Sequence, residues 1–432
     1  MNKENEKKFL QSSENKAFQE AIFNNLTITN YLEDVNKKKV LAASSTEEYT
    51  KEISKRIEEI EQYVNEDDIK INNNELSVGT IIKREAMKKQ MNYKSLPPSD
   101  IALVDCGLNC IIDLTHGSLT RQHMLFSKDD WSQIKSLFAA APNNDILVKS
   151  RPTLRKIDRI FNNPQNIEEC YWKAKEYQRK ASRFNEKIGY EVVSVIIDKM
   201  IKHNSIFTLS NPTPSEADVM IKIWADIFEF MSTNKVSLHI HGGEKRLAIG
   251  DDENTIFKLD AKLVLLYDNA EYSVCAVEFA PYAGFKKITT DRSKLLVEAK
   301  IICDKVLGLN VNEENAALLN VVNVQIMGLE TNTMSVNLVD NHLYAANSIK
   351  SYILPSTVPE LKKHCKTIIE DIFDLKHYTL NTADIIKQTL NDKKKIKKSM
   401  KRKIQVENQD EPLPSLKARP APTWRYKAKK GN

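Results

Sequence analysis

No stretch of this chain is apolar for long enough to span a bilayer, and the opening residues Met-Asn-Lys-Glu-Asn-Glu-Lys-Lys lack the apolar core of a signal peptide. Both absences predict an intracellular protein without a membrane partner. Cysteine is scarce too. Six residues (Cys106, Cys110, Cys170, Cys275, Cys303 and Cys365) scattered over 432 positions make no disulfide framework for a chain of this size, so reduced thiols are expected. Structural zinc is disfavoured for a related reason. Cys106-Gly-Leu-Asn-Cys110, with His116 and His123 downstream and Cys170 the nearest further thiol, lacks the tight ligand pairs of such sites, and ordinary buried thiols are expected.

What is present is a long chain of mixed character. Its length suggests two or three domains and is ample for a buried core, and 41% hydrophobic with 28% charged residues suits a globular body with polar extensions. The formal charge of +6 is unevenly held. From Lys393 to Asn432 there are fourteen Lys and Arg against three acids, a net of +11, which leaves residues 1–392 at −5. The body is mildly acidic and the tail supplies the whole positive excess.

The pattern divides the chain into four parts. Residues 1–95 form a polar arm with one helix, where Ser45 and Glu48 make a capping box and Tyr49, Ile53, Ile57, Ile60 and Val64 recur at helical spacing. Residues 96–209 form a helical region ending in a long segment, Ile167 to His203, with a hinge expected at Gly189. Its stretch Trp172-Lys-Ala-Lys-Glu-Tyr-Gln-Arg-Lys is a solvated face with an aromatic packing stripe rather than a nucleic-acid surface. Residues 210–390 carry a helix capped by Ser215, a strand hairpin, a helix from Thr290-Asp291 to Leu307, the strand runs Val321–Met327, Thr333–Val339 and Leu343–Leu354, and a helical stretch from Glu360 to Leu390. Residues 391–432 are expected to be disordered. The fold class is α/β (α+β), a helical N-terminal region followed by a central mixed sheet flanked by helices.

The hairpin organises the chemistry. Lys-Leu-Asp-Ala-Lys-Leu-Val-Leu-Leu-Tyr from Lys258, then Asp-Asn-Ala, then Glu-Tyr-Ser-Val-Cys-Ala-Val-Glu-Phe-Ala to Ala280, is two apolar runs about a short polar break. With Asn269 at the centre of the turn, antiparallel pairing sets Asp260 opposite Glu278 and Lys258 opposite Ala280. Facing carboxylates repel, so they call for a cation or a raised pKa, and hard oxygen donors suit Mg²⁺ or Mn²⁺. A wet sheet edge, or a register off by one, is the simpler alternative. His239 and His241, alternating on an extended segment, share one face and are expected to meet solvent.

A helix with an early Glu, a hairpin with Asp on one strand and Glu on the next, a helix and further strands resembles, over roughly residues 210–355, the PD-(D/E)xK nuclease superfamily. It is also similar to a group of uncharacterised fungal proteins abundant in Mucorales. The resemblance implies a restriction-endonuclease-like core that cleaves DNA or RNA with a bound divalent metal. Carried over, Glu216 matches the helix carboxylate, Asp260 the hairpin Asp and Glu278 the acid of the (D/E)xK strand, with Asp260 and Glu278 holding the Mg²⁺ or Mn²⁺. Two positions depart from the pattern: Ala280 stands where the lysine belongs, and Leu259 where a Pro precedes the Asp. That lysine helps to position the attacking water and to stabilise the developing charge. Lys258 is the favoured substitute, with Lys262 and Lys294 as further candidates. Without a substitute the fold would survive as an inactive nuclear nucleic-acid-binding or scaffold protein.

The tail supports a nucleic-acid partner. Lys393, Lys394, Lys395, Lys397, Lys398, Lys401, Arg402 and Lys403 crowd into eleven positions, followed by Pro-rich segments and by Trp424-Arg-Tyr-Lys. Clustered positive charge of this kind binds phosphates or the nuclear import machinery. The expected location is the nucleus, otherwise the cytoplasm.

Overall fold

The computed structural model describes residues 43–403 with the exception of 65–68, 73–74, 118, 140–151, 153–156, 165, 209–213, 233–235, 241–245, 250–251 and 259. Among the described residues nine strands follow in chain order: β1 (Ile111–Asp113), β2 (Val236–Ile240), β3 (Arg246–Ile249), β4 (Asp252–Lys258), β5 (Ala261–Tyr267), β6 (Ala270–Ala280), β7 (Val321–Met327), β8 (Glu330–Asp340) and β9 (Leu343–Ile353). Seven of them build one sheet in the order β1-β9-β8-β7-β6-β5-β2, and β3 with β4 forms a separate ribbon between β2 and β5. The sheet is mixed. β6 and β7 run parallel, as do β1 and β9, and the other neighbours are antiparallel.

The parallel pair β6–β7 needs a crossover, which the helix Phe285–Leu307 provides. That helix lies on one face of the sheet against β6, β7 and β8, and the helix Pro98–Leu108 packs on it. The C-terminal helix Val358–Lys403 contacts β5, β6 and β7, and the helix starting at Glu216 meets β2 and β6. With both faces covered, the central strands bury nearly every residue, and β7 does so even at Asn323 and Gln325. β1 comes from the N-terminal region, so the sheet crosses the boundary expected near residue 210.

Several elements differ from the sequence pattern for identifiable reasons. The helix Ala43–Gln62 begins ahead of the Ser45 capping box. A second helix, Val78–Gln90, stands in the arm; Ser77 caps it by accepting the Thr80 N–H at 3.2 Å. Its buried stripe is only Val78, Ile82 and Ala86 in a Lys-rich setting, too thin to show as a period. The long helical segment breaks at Ala181 to Arg183, between Ile167–Lys180 and Phe184–Lys202, and Gly189 is buried inside the second helix. The six cysteines are buried free thiols.

Two corrections bear on function. The crossover helix starts at Phe285, ahead of Thr290-Asp291, which adds a turn and a half to it. The tail is not disordered from residue 391, because the C-terminal helix runs on to Lys403. Lysine is a good helix former and no proline intervenes before Pro412. Lys394 also ties that helix to the body: its ammonium pairs with Asp268 and lies 5.0 Å from the centroid of the Tyr267 ring. Among the described residues no helix is long and apolar enough to cross a membrane.

Candidate active site

The hairpin reaches the expected pairing by an unexpected route. Tyr267 pairs with Ala270, so the turn is the two-residue Asp268-Asn269, both left-handed with φ of 53° and 59°. A regular ladder from that turn would leave Asp260 opposite Val277. A bulge intervenes: Val264 pairs with Ser273 and Leu263 with Cys275, leaving Val274 as the extra residue. Beyond it Ala261 faces Val277, and one further step brings Asp260 opposite Glu278. Asp260 itself bends out of the strand and accepts the Phe279 N–H on Oδ2 at 2.8 Å.

Lys258 does not share this ladder. It ends β4 and pairs with Arg246 in the separate ribbon, while Ala280 pairs with Met327 of β7. The chain breaks between β4 and β5 just where a continuous strand was expected, and the Lys258 side chain lies outside the described residues. Lys262, also considered, is engaged by Glu271 on the neighbouring strand.

The ammonium that meets Glu278 belongs to Lys294, at 2.5 Å from Oε1. The longer crossover helix explains this. From Phe285 onward, Lys287, Asp291, Lys294 and Glu298 recur at intervals of four, three and four and so share one face. That face is turned to the sheet: Asp291 and Glu298 are buried, and Lys294 lies 3.8 Å from Glu298 Oε1. Sequence reasoning began the helix at Thr290-Asp291, left Lys287 outside it, and missed Lys287, Asp291 and Glu298 as members of the site. Their regular spacing was the available signal, hidden by the misplaced start of the helix.

Glu216 joins the same group from the first turn of its own helix. Ser215 caps that helix in a reciprocal box with Asp218, which fixes its start, and Glu216 reaches to 3.6 Å from Lys287. Lys287 also pairs with Asp291 at 3.1 Å. Beside Glu278 in the parallel register stands Gln325, whose Nε2 donates to the Ile288 carbonyl at 2.8 Å and whose buried Oε1 has no hydrogen-bond partner among the described residues.

Five acids against two lysines, mostly under the surface, set the protonation. Burial pushes Glu278 up, and Asp260 adds to this while Lys294 opposes it. Burial pushes Glu298 well above the carboxylate range, reinforced by Glu278, and neither of its oxygens has a hydrogen-bond donor among the described residues. Glu216 is raised by burial and then by the charge of Asp260, and Asp291 by burial against the pull of Lys287. Burial acts to lower Lys294, but Glu298 and Glu278 outweigh it and the ammonium is held charged. One ammonium thus serves two buried carboxyls, and the pair retains a proton.

This donor set is compatible with one kind of cation. Among the described residues no three His, Cys, Asp or Glu side chains are gathered closely enough to enclose a metal ion. Asp260 and Glu278 each have one oxygen engaged, by Phe279 N–H and by Lys294. The remaining lone pairs suit a hard ion that keeps most of its waters and takes one or two carboxylates, as Mg²⁺ does. Excess negative charge in a partly dry setting favours such an ion.

The basic cluster lies elsewhere. Lys394 is tied to the Asp268 turn, the far end of β6 from Glu278, roughly 30 Å away at the rise of an extended strand. Lys393 and Lys395 flank it, and Lys395 pairs with Asp392 at 3.0 Å. Lys397, Lys398, Lys401, Arg402 and Lys403 continue the helix, with side chains outside the described residues. The side chain of His239, on β2, and the whole of His241 also lie outside the described residues. No protein-family model, curated protein or solved structure matches the chain.

Proposed function

We propose that the carboxylate–lysine group at the end of β5 and β6 hydrolyses phosphodiester bonds of nucleic acid with the aid of Mg²⁺ or Mn²⁺, as a PD-(D/E)xK-like nuclease whose lysine has moved from position 280 to the crossover helix. One observation carries this reading: the Lys294 ammonium touches Glu278, while Asp260, just ahead of the adjacent strand, accepts the Phe279 N–H beside it. The ammonium therefore occupies the neighbourhood that a lysine two residues after Glu278 would have reached. The order of helix, hairpin, crossover helix and parallel strand supports the same lineage.

In this reading Asp260 and Glu278 hold the cation, which when bound supplies an acidified water and positive charge beside the phosphate. Lys294 orients the attacking water by hydrogen bonding and stabilises the charge that grows on the phosphoryl oxygens. Glu216, in contact with Lys287, sets the local field from the neighbouring helix. Water adds to phosphorus and gives one proton up to solvent, the bond to one ester oxygen breaks, and that oxygen leaves as an alcohol after taking a proton from solvent, so that a phosphomonoester and an alcohol result. The helical basic run ending at Lys403 serves to retain the polyanion or to direct nuclear import, away from the reacting bond.

The lack, among the described residues, of a three-ligand metal group favours a second reading, in which the same fold binds nucleic acid without cutting it. Incubation of the full chain with labelled DNA and RNA in Mg²⁺ or Mn²⁺, wild type against Asp260→Ala, separates the two. Metal-dependent cleavage that Asp260→Ala abolishes is the expected result; no cleavage of either polymer leaves the binding reading.

A further inference from the structure

Immediately after β6 the chain presents two large aromatic side chains to solvent: Tyr282 is 61% and Phe285 58% exposed. Neither fills a core position, and they flank the entrance to the crossover helix whose polar face holds Lys287 and Lys294. Exposed Lys286 follows directly. The Tyr282 ring lies along Gly284, where a Cβ would sit only 3.3 Å from ring carbon Cε2, and the Gly284 N–H donates to the Tyr282 carbonyl at 3.1 Å. The first turn of the helix contains no acid.

We infer that Tyr282 and Phe285 stack on unpaired bases, with Lys286 on the adjoining phosphate, so that the site takes single-stranded nucleic acid. The inference rests on the nuclease reading for the position of the scissile phosphate and adds the form of the substrate. Aromatic rings interleaved with basic residues are the usual means of binding single strands, because every base offers a π-face while sequence is not read. A continuous duplex covers those faces by its own stacking and offers only phosphates. Lys286 offers an exposed ammonium to phosphate here, and Tyr282 follows Glu278 of the carboxylate group by four residues in the chain.

The test is binding of fluorescein-labelled dT20, U20 and a 20-base-pair DNA duplex to the full chain, read by fluorescence anisotropy in EDTA so that nothing is cut. The double variant Tyr282→Ala/Phe285→Ala is expected to bind the single strands at least tenfold more weakly and the duplex unchanged. The variant Tyr282→Trp/Phe285→Trp should keep single-strand affinity, and Lys286→Ala should reduce the salt dependence by about 0.7 in log–log slope. Both aromatic residues are exposed, so circular dichroism melting serves as a control for folding. Unchanged single-strand affinity in the alanine variant, or equal loss on the duplex, overturns the inference. The outcome is independent of cleavage. An inactive protein that still loses single-strand binding with its rings refutes the nuclease and upholds the stacking, and an active one that ignores their loss does the reverse.

Discussion

Replacing Lys294 by methionine removes the single cation shared by Glu278 and Glu298 while keeping the length of the side chain. At an effective dielectric near 20, an ammonium 2.5 Å from one carboxylate oxygen and 3.8 Å from another attracts ionised partners by roughly 7 and 4 kcal/mol. Desolvation offsets much of this, and stripping a buried pair of one partner leaves a loss of about 3–5 kcal/mol. The loss depends on pH. Without the ammonium both carboxyls hold their protons further above the ordinary value of 4.5, so above that pH the native state binds more protons than the unfolded chain and is weakened as pH rises. Up to pH 7 both groups are protonated in either protein, so the gap between Lys294→Met and wild type should be smallest and constant there; above about pH 8, where Glu278 of the wild type ionises, it should widen by about 1.4 kcal/mol per pH unit, so pH 6 and pH 9.5 are compared. Urea unfolding followed by circular dichroism at the two pH values measures this. A gap no wider at pH 9.5 than at pH 6 would mean that the ammonium does not sit between the two acids, and the proposed replacement for the lysine absent at position 280 would fall. In the cleavage assay the same variant should lose about 100- to 1,000-fold in rate, the range for removing one charge-stabilising donor.

Three further outcomes follow from the packing. Burial pushes Asp105 up to about 6 from 3.8 despite hydrogen bonds from Tyr93 and Ser293, so the native state keeps a proton that the unfolded chain has lost. Stability should therefore decline by about 2–3 kcal/mol as pH rises from 4 to 7, and Asp105→Asn should flatten that segment of a urea-midpoint profile. Gly107→Ala would place a Cβ 2.6 Å from the Ala86 Cβ and 2.8 Å from the Ile82 carbonyl oxygen, both rigid, forcing apart the helices Val78–Gln90 and Pro98–Leu108. A loss of about 2–3 kcal/mol in urea is expected, and a neutral result would show that these helices do not pack this closely. Trp224→Phe deletes the indole N–H that donates to the Gly328 carbonyl at 2.7 Å, stranding a buried acceptor for about 1–3 kcal/mol. Because Gly328 N–H also holds the Ala280 carbonyl at 2.8 Å, hydrogen exchange at the end of β6 should quicken in that variant.

Composition and local pattern settled which segments are strands and helices around the site. Val, Leu, Tyr and Phe flanking Asp268-Asn269 specify a hairpin whatever surrounds it, and Ser215 starts the Glu216 helix through a cap made within four residues. Such signals depend on neighbours in the chain and are legible there. Whether Asp260 meets Glu278 was not, because that depends on a one-residue bulge at Val274 which shifts every later position, and a turn centred half a residue away offsets it. The partner of Glu278 was decided at still longer range. A strand fragment ending at Lys258 folded into its own ribbon, and Lys294 was delivered by a helix laid across the sheet. Burial between helix and sheet, which no linear pattern records, is what makes one ammonium and two acids a single electrostatic unit.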